Sequence, residues 1–385
     1  LPEFEKETRI KVNLELLTFD LCTQRQQLEL SSGSSAYDVM TMIFIHSGKW
    51  IGADWVHPLD EYINDPKLVE NADIGDFLPA SIQPFQNKGF TYALPFVVET
   101  SEMAYRKDIL EEHGIEVPSD FNEVLAAAKK IHSPECAAVV FRGAPIAGQL
   151  GWVWPNFMQG FGGNLFKDPP VDLTPVINSP ENAAAVKYFV ELAKYGPEGM
   201  LSFQHTDAVK TMKLGKAAMW IDGSGVLVGV LDKNDSLVAD KIGFAPVPAG
   251  PAGSFPQIAT HGWMIPKGSR HKEAAWQFLK WATGKDVMQR LVSDYGYLPV
   301  PRESVLQSPE YTARFHIGGT DFGELQIQAL KDANPAYRTV PIFPQVGDRI
   351  AIAVSEVWSG QKTVEKALND AQRDIERIVE DWQGH

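Results

Sequence analysis

Three places in this 385-residue chain set tryptophan beside polar groups: Trp152-Val153-Trp154-Pro155, Met219-Trp220-Ile221-Asp222 and His261-Gly262-Trp263. Ten tryptophans in all is a generous supply. An indole face packs on the C–H surface of a polyhydroxylated molecule, while carboxylates accept from its hydroxyls and guanidinium or amide groups donate to them. The chemistry such residues support is recognition rather than bond making. Motifs for bond making are missing. No Gly-Lys pair carries the spacing of a phosphate-binding loop, no G-x-G-x-x-G follows a strand, and no G-x-S-x-G elbow occurs. The nine histidines include no H-E-x-x-H and no pair one helical turn apart, so His46 and His261 read as hydrogen-bonding residues rather than metal ligands.

These residues need elements to hold them. Alternation over 11–16 reads as a strand, 24–30 as a helix, and the apolar run 37–45 as a second strand after the Ser/Gly break at 31–35. Strand, helix, strand is the rhythm of an α/β sheet. Ser119 or Asp120 caps a helix bearing Phe121, Val124, Leu125 and Ala128. Ser179-Pro180-Glu181 opens another with Val186, Phe189, Val190 and Ala193, closed by Gly196. Further amphipathic helices follow His271 and Thr363. Short strands are expected at 92–95, 103–106, 137–141, 217–221, 243–246 and 262–265, and the Pro/Gly-rich stretch 248–256 reads as a linker. The tryptophan couple at 152–154 falls in what reads as a loop.

Composition narrows the partners. With 35 Lys+Arg against 49 Asp+Glu the formal charge is −14, and 44% of residues are hydrophobic. That excludes a disordered polyanion and makes nucleic acid the least suitable partner. Two cysteines, Cys22 and Cys136, leave room for a single long-range bridge and no zinc site. No stretch approaches the roughly 20 apolar residues of a membrane span, and no secretion signal opens the chain.

The run from Gly89 through Tyr92, Leu94-Pro95-Phe96 and Glu99 to Tyr105-Arg106-Lys107-Asp108 resembles family 1 extracellular solute-binding proteins, the maltose-binding-protein-like receptors of ABC sugar and polyol importers. Matches continue in family order through Phe4-Glu5-Lys6-Glu7-Thr8, Leu214 to Met219 with Asp222-Gly223-Ser224, Lys241 to Pro246, Lys272 to Trp276 and Ser359 to Gln372. Arg9 stands where the family usually has glycine, and the resemblance implies a strand and loop ahead of residue 1. It implies an α/β fold of two lobes, each a mainly parallel sheet flanked by helices. The lobes would be 1–101 with 260–308 and 102–259 with 309–385, joined by a hinge of crossing segments with a sugar held in the cleft.

On that reading the chain is a receptor and not an enzyme, with no cofactor or metal. Its partners would be a small carbohydrate and the membrane subunits of a permease. It would be a monomer, exported to the periplasm, and soluble there because no N-terminal cysteine carries a lipid. The resemblance together with chemistry points to Glu99 and Asp222 as hydroxyl acceptors and to Arg142, at the end of the strand 137–141, as donor. Trp154 and Trp263 would stack on the sugar, with His261 beside them. His46 and Phe19 follow first-lobe strands where family loops meet ligand; Gln24, Gln345 and Arg302 complete the set. One arginine, two acids and stacking rings suit a neutral monosaccharide, a sugar alcohol or an amino sugar. The competing expectations are a glycoside hydrolase using Glu99 and Asp222 as its acid pair, and a peptide- or iron-binding receptor on the same fold.

Overall fold

A computed structural model describes residues 1–383, leaving out the side chains of Phe19, Asp20 and Gln383. Two compact units emerge: unit 1 is Leu1–Val98 with Ala259–Arg314, and unit 2 is Glu99–Ile258 with Phe315–His385. Six strands carry the functional geometry: β1 (Met40–Ile43), β2 (Ala93–Arg106), β3 (Ala137–Val140), β4 (Ala217–Gly223), β5 (Ile242–Pro246) and β6 (Ile258–Met264). The chain leaves unit 1 inside β2 and returns to it at the start of β6.

In unit 1, β1 runs antiparallel to β6 with Ile43 opposite His261 and Thr41 opposite Trp263. Its core gathers Leu59, Tyr62, Phe77, Leu94, Ile265, Trp276 and Leu279. Tyr62 stacks on Trp276 at 5.3 Å, and the Trp276 indole N–H donates to the Leu68 carbonyl at 3.0 Å. In unit 2, β2 is flanked on both edges by antiparallel strands, β4 and β5, while β3 lies parallel to β4. Helices bury an aromatic cluster of Phe121, Phe141, Phe157, Tyr188 and Phe189 beside them.

The α/β class follows from the alternation of strand and helix signals, but several details differ. The expected mainly parallel sheet gives way to antiparallel pairings around β2. Parallel pairing needs a long crossover, which β3 and β4 have in the helices Leu150–Gly160, Pro180–Ala193 and His205–Lys213. Residues 93–95 and 103–106 belong to one long strand, β2, which Tyr92 precedes. The apolar run 37–45 splits into β1 and a helix, Phe44–Gly52, because Phe44, Ser47, Trp50 and Ile51 share a buried helical face. The segment 11–16 is not a strand: no neighbouring strand hydrogen-bonds it among the described residues, and Leu14 and Leu16 are exposed. The Val12 amide donates instead to the Glu5 carboxylate at 2.9 Å. Nor is 248–256 a linker. Ala249 is bonded to Ser119 and Phe121 on both its backbone groups, which ties the stretch into unit 2. The 152–154 couple lies in the helix Leu150–Gly160, buried along its whole length. Both cysteines are free.

The helix Pro2–Thr8 ends at Arg9, whose backbone is left-handed at φ 64°. A side chain there costs about 1–2 kcal/mol that glycine avoids, part of which the greater freedom of glycine in the unfolded chain offsets. Arg9→Gly is expected to raise stability by about 0.5–1 kcal/mol in urea unfolding, whereas a lower midpoint would contradict the strain.

Candidate functional site

Strand pairing in unit 2 sets Glu102 of β2 directly opposite Asp222 of β4. Opposed residues of an antiparallel pair point to the same face, so two acids meet in a fully buried position. Arg142, immediately after β3, resolves half of that conflict. Its Nε donates to Asp222 Oδ2 at 2.8 Å, and its Nη2 donates to Oδ1, a two-pronged pair in which Arg142 is 8% exposed and Asp222 not at all. Asp222 Oδ1 also accepts from the Gly223 amide at 2.7 Å, and Arg142 Nη1 donates to the Gly148 carbonyl at 3.3 Å.

Glu99 has no such partner. Among the described residues nothing donates to its carboxylate, which lies over the backbone of Gly223 and Gly225; a methyl group on Gly225 would run into it. Burial raises its pKa to about 6, with Asp222 pushing the same way and Arg142 pulling down. The space above Gly223 is shared with the Trp152 indole. A methyl group there would lie 3.1 Å from Glu99 Oε2 and 3.9 Å from Trp152 Nε1. The indole N–H is buried and donates to nothing. Arg338 stands over the Trp152 ring, its guanidinium carbon 4.6 Å from the ring centroid. Arg338 is 2% exposed and belongs to no ion pair among the described residues. Its Nε donates to Tyr337 Oη at 2.7 Å and its Nη2 to the Trp152 carbonyl at 3.1 Å. His205 adds a ring whose pKa burial lowers, helped by Arg142.

In unit 1, β6 presents His261 and Trp263 on one face, two residues apart. Trp263 is half-buried and stacks on Phe96 at 4.6 Å; His261 meets the same ring edge-on at 6.3 Å. His46 stacks on Trp50 at 5.2 Å. Burial pushes both His46 and His261 down to about 4, so both are neutral at physiological pH.

Unit 2 thus gathers Glu99, Arg142 and Asp222, and unit 1 holds the His261–Trp263 face. Other expected residues fall elsewhere. Trp154 is fully buried inside its helix: residues two apart on a helix point about 160° apart, so only one of Trp152 and Trp154 can reach the cluster. Asp222 holds Arg142 through both carboxylate oxygens and accepts from the Gly223 amide, which orients the guanidinium. Arg302 is fully buried in unit 1, donating to the carbonyls of Thr283, Ala72 and Asp73 and to Asp76 with Phe77 beneath it; it braces the core. Gln24 and Gln345 are exposed on their helices. The side chain of Phe19 lies outside the described residues. Trp152 was noted beside Trp154 but passed over for it, because the helix that orients the two read as a loop; Arg338 and Glu102 were not expected, the latter because the register of β2 and β4 was unknown. Among the described residues no group of His, Cys, Asp or Glu could hold a metal ion, and no helix is long and apolar enough to cross a membrane.

Unit 2 thus sets an unpartnered acid and an idle indole N–H near a paired arginine, and unit 1 by itself carries a ring surface. The match of residues 1–289 to the family of bacterial extracellular solute-binding proteins settles the class: the chain belongs to that family. The mannitol-binding protein of Pseudomonas aeruginosa is 25% identical over 97% of this chain and 87% of its own length. The maltotriose-binding protein of Pyrococcus abyssi is 28% identical over 89% of this chain and 69% of its own. The crystal structure of an ABC transporter solute-binding protein from Agrobacterium vitis with bound D-mannitol superposes with a TM-score of 0.83 at 27% identity, covering 99% of this chain and 94% of that one. Nothing in these likenesses supports the hydrolase expectation, and a hydrolase would need Asp222 free of Arg142.

Arg302→Ala strips three carbonyls and Asp76 of their donor. The expected outcome is a loss of about 3–5 kcal/mol in urea unfolding; an unchanged midpoint would return Arg302 to the list of ligand-facing residues.

Proposed function

We propose that this chain is the solute-binding receptor of an ABC importer and that its ligand is a small neutral polyol or monosaccharide. The observation that carries this reading is the pair of unused groups over Gly223. Glu99 is an acceptor without a donor, and Trp152 Nε1 is a donor without an acceptor. A hydroxyl both donates and accepts, so one or two neighbouring hydroxyls satisfy both groups at once, which a purely apolar or anionic ligand would not. Unpaired buried polar groups are costly, and a ligand that completes them recovers that cost on binding. Both the mannitol-binding relative and the mannitol-bound structure favour an acyclic polyol. The relatives' association with ABC transporters favours delivery to permease membrane subunits, with the protein working in the periplasm. The His261–Trp263 face of unit 1 offers further C–H stacking. An amino sugar remains compatible with the charge of unit 2, since Glu99 would accept from an ammonium.

The reading is tested by calorimetric titration and thermal shift with D-mannitol, ribitol, erythritol, D-glucosamine and maltotriose. A hexitol or pentitol is expected to bind at about micromolar affinity, near −8 kcal/mol, and to raise the melting temperature by mass action. No response to any of the five would overturn it. Glu99→Gln and Trp152→Ala should each weaken binding about tenfold to a hundredfold, the size of a hydrogen bond to a charged group for the first.

Affinity should also depend on pH. Hydroxyls donate to ionised Glu99, so ligand favours the deprotonated form. Affinity is therefore full above about 6 and falls as the pH drops through that value. Below it, each pH unit is expected to cost about tenfold, and Glu99→Gln should abolish the acid limb. A flat profile in the wild type would refute the role of Glu99.

A further inference from the structure

Glu102 is the group the binding reading leaves unused. It is fully buried on β2, with Asp222 opposite it on β4 and Pro246 opposite it on β5. Thr100 Oγ1 lies against its Oε1, and Oε2 has no hydrogen-bond partner at all. The cation that could answer its charge, Arg142, directs its Nε and Nη2 to Asp222 and its Nη1 to Gly148. The charged groups that act on it directly are Glu99 on its own strand and Asp222 across the ladder; Arg142, and His205 at the start of the helix His205–Lys213, act on Asp222. An ionised carboxylate with an empty oxygen, set directly opposite a second carboxylate and away from water, is the least favourable arrangement available here.

We propose, resting on the binding role of Glu99 given above, that Glu102 is a positioning residue that carries its own proton: as a neutral acid it leaves Asp222 free to hold Arg142, and its ionisation sets the alkaline limit of ligand binding. The acid Glu102 neither touches ligand nor moves a proton to it. When it loses its proton, its new charge repels Asp222 and Glu99, which disturbs the hold of Asp222 on Arg142 and the placing of Glu99 over Gly223. Burial, the largest influence, holds the Glu102 proton well above the ordinary carboxyl range, and the charges of Glu99 and Asp222 act in the same direction; the Thr100 hydroxyl opposes them. Binding then has two limbs, an acid one from Glu99 and an alkaline one from Glu102.

Two measurements separate this proposal from the binding reading beneath it. The first needs no ligand: infrared spectroscopy of the full chain in D2O at pH 8. A protonated-carboxyl band present in the wild type and missing in Glu102→Gln supports the proposal; absence of the band in the wild type overturns it, whether or not any polyol binds. Unfolding of the same two proteins gives the matching sign. A carboxyl that binds its proton more tightly when folded contributes stability below its unfolded value of 4.5 and loses it as the pH rises through the folded one. Glu102→Gln should therefore gain in melting temperature relative to wild type as pH rises from 5 to 9, and a constant difference would count against the proposal. The second measurement is titration with D-mannitol from pH 5 upward through the alkaline range in which the wild type stays folded. Wild-type affinity should fall at the alkaline end by about tenfold per unit past the limb, and Glu102→Gln should lack that fall. Thr100→Val, which removes the one contact that favours the charged form, should move the fall to higher pH. An alkaline fall retained in Glu102→Gln overturns the proposal. Failure of wild type to bind mannitol at every pH would count against the binding reading, while the infrared band still decides the state of Glu102.

Discussion

The interaction on which unit 2 depends is the two-pronged pair between Arg142 and Asp222. It ties the turn after β3 to the last residues of β4, two strands that already run parallel, and it does so away from water. A buried ion pair of this kind adds little net stability, because desolvation offsets most of its attraction. Its value lies in placement. With Asp222 occupied, the guanidinium is oriented, the Gly223 amide is held, and the only carboxylate of the cluster with accessible, unpaired oxygens is Glu99. Glycine at 223 and 225 then clears the ground on which that carboxylate rests. Removing either partner would leave a bare buried charge beside two more acids.

The two units hold different physical resources. Unit 1 offers rings: Trp263 on Phe96, His261 at the edge of the same phenyl group, His46 on Trp50, with both imidazoles kept neutral by burial. Unit 2 offers charge and hydrogen-bonding capacity: Glu99, Arg142, Asp222, Glu102, Arg338 and the indole N–H of Trp152. Packing on rings discriminates weakly among sugars and polyols, since every such molecule has C–H faces, whereas directed hydrogen bonds discriminate strongly. Selectivity within the family is therefore expected to be written mostly in residues of the kind unit 2 supplies.

Much of this was legible in the residues. Helices with caps and stripes, such as Phe121–Ile131 behind Asp120 and Pro180–Ala193 behind Ser179, announce themselves because local hydrogen bonds define them. Arg142 and Asp222 could be singled out as strand-end polar residues next to glycine. What could not be read was register and partnership. Alternation at 11–16 has the periodicity of a strand but no neighbour to bond. Trp154 and Arg302 have the right chemistry for a site and the wrong surroundings, because which side of a helix faces a cluster, and which carbonyls a guanidinium will find, are properties of the folded whole. Glu102 opposite Asp222 is a fact of strand pairing, invisible until β2 and β4 are aligned.

The interleaving of the units also bears on how the chain acquires its structure. The core of unit 1 joins Leu59 and Phe77 to Trp276 and Leu279, residues on opposite sides of the whole first segment of unit 2. Residues 1–98 hold only part of that core, which is complete once the return segment 259–314 is present. Contacts so distant along the chain slow folding and prolong exposure of apolar surface. For a family that works outside the cell, such delay keeps the polypeptide threadable during its passage across a membrane, so the order in which the segments are sewn together is itself a timer.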